Sequence, residues 1–466
     1  MGLVALLVSM MFSFWMLKRE LRRRPFLSAA LWIPTFFVMI LGSRPVSDWI
    51  ERGGTSGKGF ESSPLDAAFF AVVLGSCLVI ATSRGVKWGK FLAANIPLML
   101  IYAYFISSTI WSDDPMGSAK KIFKDFALLF VIGLIYSEKE PLQAMRAIFI
   151  RSACFLFPLS LVFDRWFPRF ARDYSPNGTM HFSGVTGQKN TLGEMVFILC
   201  TVLLWDYFEM RESQAGKRFL STVPWDQLTL FVMGIFILVQ SQSKTALVAL
   251  FICIAFSIRI PWLLTAKVRT VGFFFVLSTP FLMFFTQEFG DLIQPIVAAL
   301  GRDMTFTGRT NIWSHITWEN VNPIIGCGYW IFWGGPKGKA ISDSIDWKIP
   351  NAHCGYIDLY IDGGMCALFI LFCVLAAYGF RLVKRGNGNR FQQVRLGMFS
   401  AAIVYNLSES SFLRMGLLWF TTLLMIVDFP RMKQTVKKFH RKKYEVAVAG
   451  RGSEALPKTV RQGAFQ

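Results

Sequence analysis

The chain has 466 residues, 53% hydrophobic, 15% aromatic and 17% charged, with a mean hydropathy of +0.44. Soluble domains average about 25% charged residues, so this composition argues against a soluble protein and for a helical one that crosses the membrane several times. The formal charge of +20 would suggest nucleic acid in a soluble chain; here the basic residues sit between apolar runs, as cytoplasmic loops do, and no nucleic-acid partner is expected.

Candidate spans fall near 2–17, 26–42, 66–82, 91–110, 122–136, 147–164, 191–208, 226–241, 244–260, 270–287, 355–380, 396–408 and 413–429. The segments are continuously apolar rather than alternating, which disfavours a β-barrel. The expected fold class is all-α: a polytopic integral membrane protein with about 12–13 transmembrane helices and one long periplasmic loop containing short helices. Its expected divisions are N-terminal transmembrane helices over 1–287, the long loop over 288–354, C-terminal transmembrane helices over 355–429 and a basic cytoplasmic tail over 430–466. The first apolar stretch is followed by Lys18-Arg19-Glu20-Leu21-Arg22-Arg23-Arg24, which reads as an anchoring flank rather than a signal-peptide cleavage site.

Charge sets the orientation. If Lys18–Arg24 faces the cytoplasm, the same side receives Arg84, Lys87, Lys90, Arg381, Lys384, Arg385 and the tail, as the positive-inside rule requires. The N-terminus, the 165–190 loop, the 241–244 turn, the long loop and the 409–412 turn then share the outer side. Eight cysteines are scattered without a CxxC pair; Cys327 and Cys354 share the long loop and could pair on an oxidising side.

The outer segments hold the unusual chemistry. Arg302 and Arg309 offer planar forks matched to phosphate oxygens, or else anchor the loop at headgroups. Lys189 and Lys244 are point charges that suit phosphate or snorkel at the interface. His353, just before a span, is the expected base, since a neutral imidazole takes a proton near physiological pH. His315 reads as structural, on a short amphipathic helix. Glu409 ends an apolar run, where a carboxylate needs a partner; it can orient His353 or pair with Arg414.

Five stretches in order then resemble a known family: Gly184-Val185-Thr186-Gly187-Gln188-Lys189-Asn190, Ser241-Gln242-Ser243-Lys244, Thr307-Gly308-Arg309-Thr310-Asn311 with Asn322-Pro323-Ile324-Ile325-Gly326, Asn351-Ala352-His353-Cys354-Gly355-Tyr356, and Asn406-Leu407-Ser408-Glu409-Ser410. The chain is similar, over roughly 65–430, to the O-antigen ligase and O-antigen polymerase-like superfamily, especially its exopolysaccharide-production members. The resemblance implies a metal-independent, cofactor-free glycosyltransferase in the bacterial inner membrane, active at the periplasmic face. Its donor would be a glycan on undecaprenyl diphosphate and its acceptor a glycan hydroxyl, with a chain-length regulator and a flippase as further partners. It assigns Arg309 and Lys244 to the diphosphate and His353 to the acceptor proton; Arg302, Lys189, Asn190, Tyr356, Glu409 and Arg414 are expected beside them as substrate contacts. The chain departs from the family pattern at Lys244, often Arg, at Gln188, often His, and at Cys354, usually Asn.

The chemistry is coherent by itself. A lipid diphosphate is a good leaving group, cations neutralise its charge, and attack from the opposite face inverts the anomeric centre. Polymerisation of repeat units is expected, with ligation of a finished glycan to lipid A core as the alternative. A solute transporter is the reading from another class, disfavoured by the absence of an inverted repeat and by the few mid-span charges.

Overall fold

The structure, a computed structural model, describes residues 1–50, 63–174, 178–213, 224–257, 266–284, 309–316, 320–345, 349–385 and 390–429. Arg302 and the expected 430–466 tail lie outside the described residues. The protein is an all-α, multi-pass membrane protein; the described residues add one short hairpin, Arg172–Tyr174 with Met180–Phe182. Five described helices are each long and apolar enough to cross a membrane: Gly2–Arg23, Pro64–Ser83, Pro141–Trp166, Lys189–Glu212 and Gly355–Arg385. Shorter apolar helices, among them Trp225–Ser241, Lys244–Phe256 and Leu417–Ile426, pack with them. Within the described residues these helices are shorter than the ~20 residues a straight span needs.

Two expected spans are broken. The run at 91–110 is a pair of helices, Trp88–Ala94 and Ile96–Ser108, meeting at 96°. Pro97 lies in the first turn of the second, where its missing N–H costs nothing. Asn95 satisfies the corner: its side-chain amide donates to Phe91 O and Asp428 O, and its Oδ1 accepts from Asp428 N and the Tyr378 hydroxyl.

The second break is at Gly364 in Gly355–Arg385, where φ is 63° and ψ −162°. A break inside an apolar environment frees backbone groups that must be satisfied internally. The segment 323–328 does this: Cys327 N donates to Ile361 O, Gly328 N to Asp362 O, Met365 N to Pro323 O and Cys366 N to Ile324 O, all at 2.9–3.1 Å. The Tyr104 hydroxyl takes Gly363 O at 2.6 Å. The long loop is thereby stitched into the membrane helix. A Cβ on Gly364 would meet Ile324 C and O at 2.3 Å. Gly364→Ala is therefore expected to destabilise by about 2–5 kcal/mol through left-handed strain and overpacking, read as a lower melting temperature of the purified protein.

Helix ends sort into two groups. One holds the buried network of Arg24, Glu20, Asp206, Arg146 and Arg151, with N–O contacts of 2.5–3.0 Å. Asp428 gathers Arg385 and Arg381 from the end of Gly355–Arg385 and Arg395 from Arg390–Tyr405. Buried charges are costly unless paired, and these pairs staple helix ends together. The other group of ends forms the candidate site. Asp206 and Asn190 lie on one helix sixteen residues apart, which separates the two ends by about 24 Å.

The eight cysteines are free thiols. The expected option of a Cys327–Cys354 bridge is not taken: Cys327 belongs to the segment docked at Gly364 and its thiol turns to Asn320 O, while Cys354 is fully buried at the start of Gly355–Arg385.

Candidate active site

Four helix ends and one short helix converge here: the starts of Lys189–Ser213, Lys244–Ser257 and Gly355–Arg385, the end of Arg390–Tyr405, and Arg309–Ser314. The turn after Tyr405 is shaped by Asn406. Its Oδ1 accepts from Ser411 N and Phe412 N, its amide donates to Ala402 O, and its carbonyl accepts from Gly355 N. Residue 355 must be glycine, because a Cβ there would lie 2.1 Å from Asn406 Oδ1.

This close approach sets His353 against Glu409. His353 Nδ1 is 3.8 Å from Glu409 Oε2. The other carboxylate oxygen is taken: Arg309 Nη2 donates to Oε1 at 2.9 Å and the Asn190 amide donates to it at 2.7 Å. Arg309 Nη1 donates to the carbonyls of His353, at 3.2 Å, and of Ser408. One guanidinium fork thus ties the histidine strand to the 405–410 turn. The Thr245 and Ser408 hydroxyls are bonded at 2.7 Å, which brings the 241–245 turn alongside.

His353 has φ of 51°, a left-handed conformation uncommon for a non-glycine residue. The Asn351 side chain accepts from its N–H at 2.9 Å and stabilises the turn. Backbone strain of this kind concentrates at functional sites. Asp358, one turn into the following helix, accepts from Ala352 N, the Trp333 indole and the Ser410 hydroxyl, so it braces the residues flanking both His353 and Glu409.

Glu409 is nearly buried, and burial alone would raise its carboxyl. The His353 imidazole and the Arg309 guanidinium outweigh burial and hold it below the ordinary 4.5. The site therefore contains a carboxylate kept ionised beside an imidazole, an arrangement that can orient the ring.

The structure thus brings together His353, Arg309, Glu409 and Asn190. Lys244 is exposed on the adjoining turn, one residue before Thr245. Lys189 is half-buried with its ammonium 3.3 Å from His181 Nε2. His181 is held below its ordinary value by burial first and by Lys189 second. Tyr356 is placed differently from the expectation of a substrate contact: it is 1% exposed, its hydroxyl donating to Ile403 O in the core. Arg414 is likewise buried, paired with Asp362 at 2.7 Å and 4.8 Å above the Trp330 ring. The expected option of a Glu409–Arg414 pair is replaced by Glu409–Arg309. Sequence reasoning missed Asp358, Asn406 and Asn351. For Asp358 a signal existed, a carboxylate in an apolar run; Asn406 and Asn351 act through backbone bonds that no spacing rule reveals.

Over 323 residues the chain is 23% identical to the exopolysaccharide production protein ExoQ of Rhizobium meliloti (strain 1021), covering 64% of this chain and 68% of that protein. Residues 229–372, which run from the helix before Lys244 through Arg309 and His353 past the Gly364 break, match the family described as O-antigen ligase. The chain thus carries, over residues 229–372, a region similar to the O-antigen ligase family that holds Lys244, Arg309 and His353.

Proposed function

We propose that the protein is an inverting membrane glycosyltransferase that joins repeat units of an exopolysaccharide carried on undecaprenyl diphosphate, working at the periplasmic face of the bacterial inner membrane. The observation that carries this reading is the Arg309–Glu409–His353 cluster at the end of the bundle remote from the buried arginine networks. By the positive-inside rule the arginine-rich end faces the cytoplasm, so the cluster faces outward. Likeness to an exopolysaccharide production protein favours polymerisation over ligation to lipid A core.

His353 accepts the proton of the acceptor hydroxyl as its oxygen attacks the anomeric carbon of the donor. The bond from that carbon to the diphosphate breaks, and its electron pair leaves with the phosphate. Glu409 faces Nδ1 at 3.8 Å and stabilises the imidazolium that forms, with Nε2 as the base. Arg309 spends both terminal nitrogens on protein groups in this state, so it acts chiefly as the clamp of the catalytic pair. Lys244, exposed at the rim, meets the departing diphosphate, with the Arg309 charge behind it.

The glycan profile of a deletion strain tests the reading. Loss of long chains with single repeat units retained on the lipid carrier is the expected result. Normal chains stranded on the carrier would make the protein a ligase, and an unchanged glycan profile with lost solute uptake would make it a transporter.

A further inference from the structure

Outside the catalytic cluster, the long loop holds a second polar feature. The helix Arg309–Ser314 brings Arg309 into the site at its start, and His315, just past its end, lines a groove of about 430 Å³. His315, Asn320, Lys337 and Ser344 bring polar groups to its lining, and Pro336, Ala340 and Ile341 bring apolar surface, which predominates. The volume lies within the range of small-ligand pockets, about 300–1,000 Å³.

The groove is built on a firm base. Ile312, Val321, Phe332, Trp333, Ile341 and Ile349 form a separate small core beneath it. The Trp313 indole donates to Ala352 O at 2.8 Å, which ties the helix to the residue before His353. From Arg309 to His315 the helix rises about 9 Å, a span on the order of one or two sugar rings.

The walls have the hydrogen-bonding character of a sugar site. Asn311 O can only accept, so His315 Nδ1, 2.8 Å away, donates to it and Nε2 is left for a ligand. Lys337 supplies donors, and Asn320 and Ser344 supply groups of both kinds. Sugar hydroxyls donate and accept, and their C–H faces suit a shallow apolar floor.

We infer that this groove is a holding subsite for the saccharide acceptor, gripping it one or two sugars away from the hydroxyl that reacts at His353. The inference rests on the glycosyltransferase reading for its purpose, but not for its geometry.

Ala340→Trp tests it, because Ala340 is exposed on the helix Pro336–Ser344 and an indole there fills the groove without entering the core. Lys337→Ala is the milder variant. The probes are oligosaccharides of two to six sugars cut from the host's own polymer, added to full-length protein in lipid nanodiscs. Binding is read by saturation-transfer NMR and transfer by acceptor kinetics. The expected result is about tenfold weaker binding and a similarly raised acceptor KM for Ala340→Trp, about threefold for Lys337→Ala, with kcat within twofold of wild type. Unchanged binding and KM in both variants overturn the subsite while wild-type transfer leaves the enzyme reading standing. Binding that Ala340→Trp removes, in a protein that performs no transfer at all, upholds the groove and overturns the enzyme.

Discussion

His353→Asn is expected to reduce glycan transfer by about 100- to 10,000-fold, the usual contribution of a positioned general base. Asparagine is the informative substitute. It tolerates the left-handed conformation that residue 353 adopts at φ 51°, whereas alanine would add strain and blur the result. It keeps a polar side chain near Glu409 but cannot take a proton at neutral pH. Expression, membrane insertion and melting temperature should stay close to wild type, since His353 O, which Arg309 holds, is a backbone group. Polymer from the Asn variant at near wild-type rate would remove His353 from catalysis and leave its strained backbone without a chemical purpose.

Arg309→Lys is the second large effect, with transfer expected to fall by about 100-fold. Arg309 reaches two carbonyls with Nη1 and a carboxylate with Nη2. A single ammonium cannot span that fork geometry. Charge-assisted bonds to the turn are lost, which should lower stability by about 1.5–3 kcal/mol. The pH profile should move as well. The folded-state value of Glu409 lies below its ordinary 4.5, so its ionised form contributes stability above that value and loses it as the pH falls through the folded value. With the guanidinium gone the depression weakens, and the acid limb of both stability and activity shifts to higher pH. Melting curves from pH 3 to 7, run beside transfer assays, check both points; a loss of twofold or less with an unmoved acid limb would reduce Arg309 to an anchor.

Much of the site was legible because its members are expensive residues. A lone histidine before a span, a glutamate at the end of an apolar run, and arginine in a polar loop stand out against apolar surroundings, and three of them, His353, Glu409 and Arg309, meet. Arg414 and Tyr356 looked alike in the sequence yet lie elsewhere: the pairing of Arg414 with Asp362 and the burial of Tyr356 against Ile403 depend on which helix face turns inward. The break at Gly364 was equally invisible. Gly363-Gly364 in an apolar run is compatible with a straight helix, and only the docking of 323–328 supplies the four backbone partners that make the break stable.

Composition alone established a helical protein of many spans, because transfer into lipid acts on local stretches; the order of charges supplied the expected orientation. Tertiary structure decided who pairs with whom. Arg309 is joined to His353 across 44 residues and to Glu409 across 100, and contacts over such separations are set by how helices pack, which no local pattern encodes.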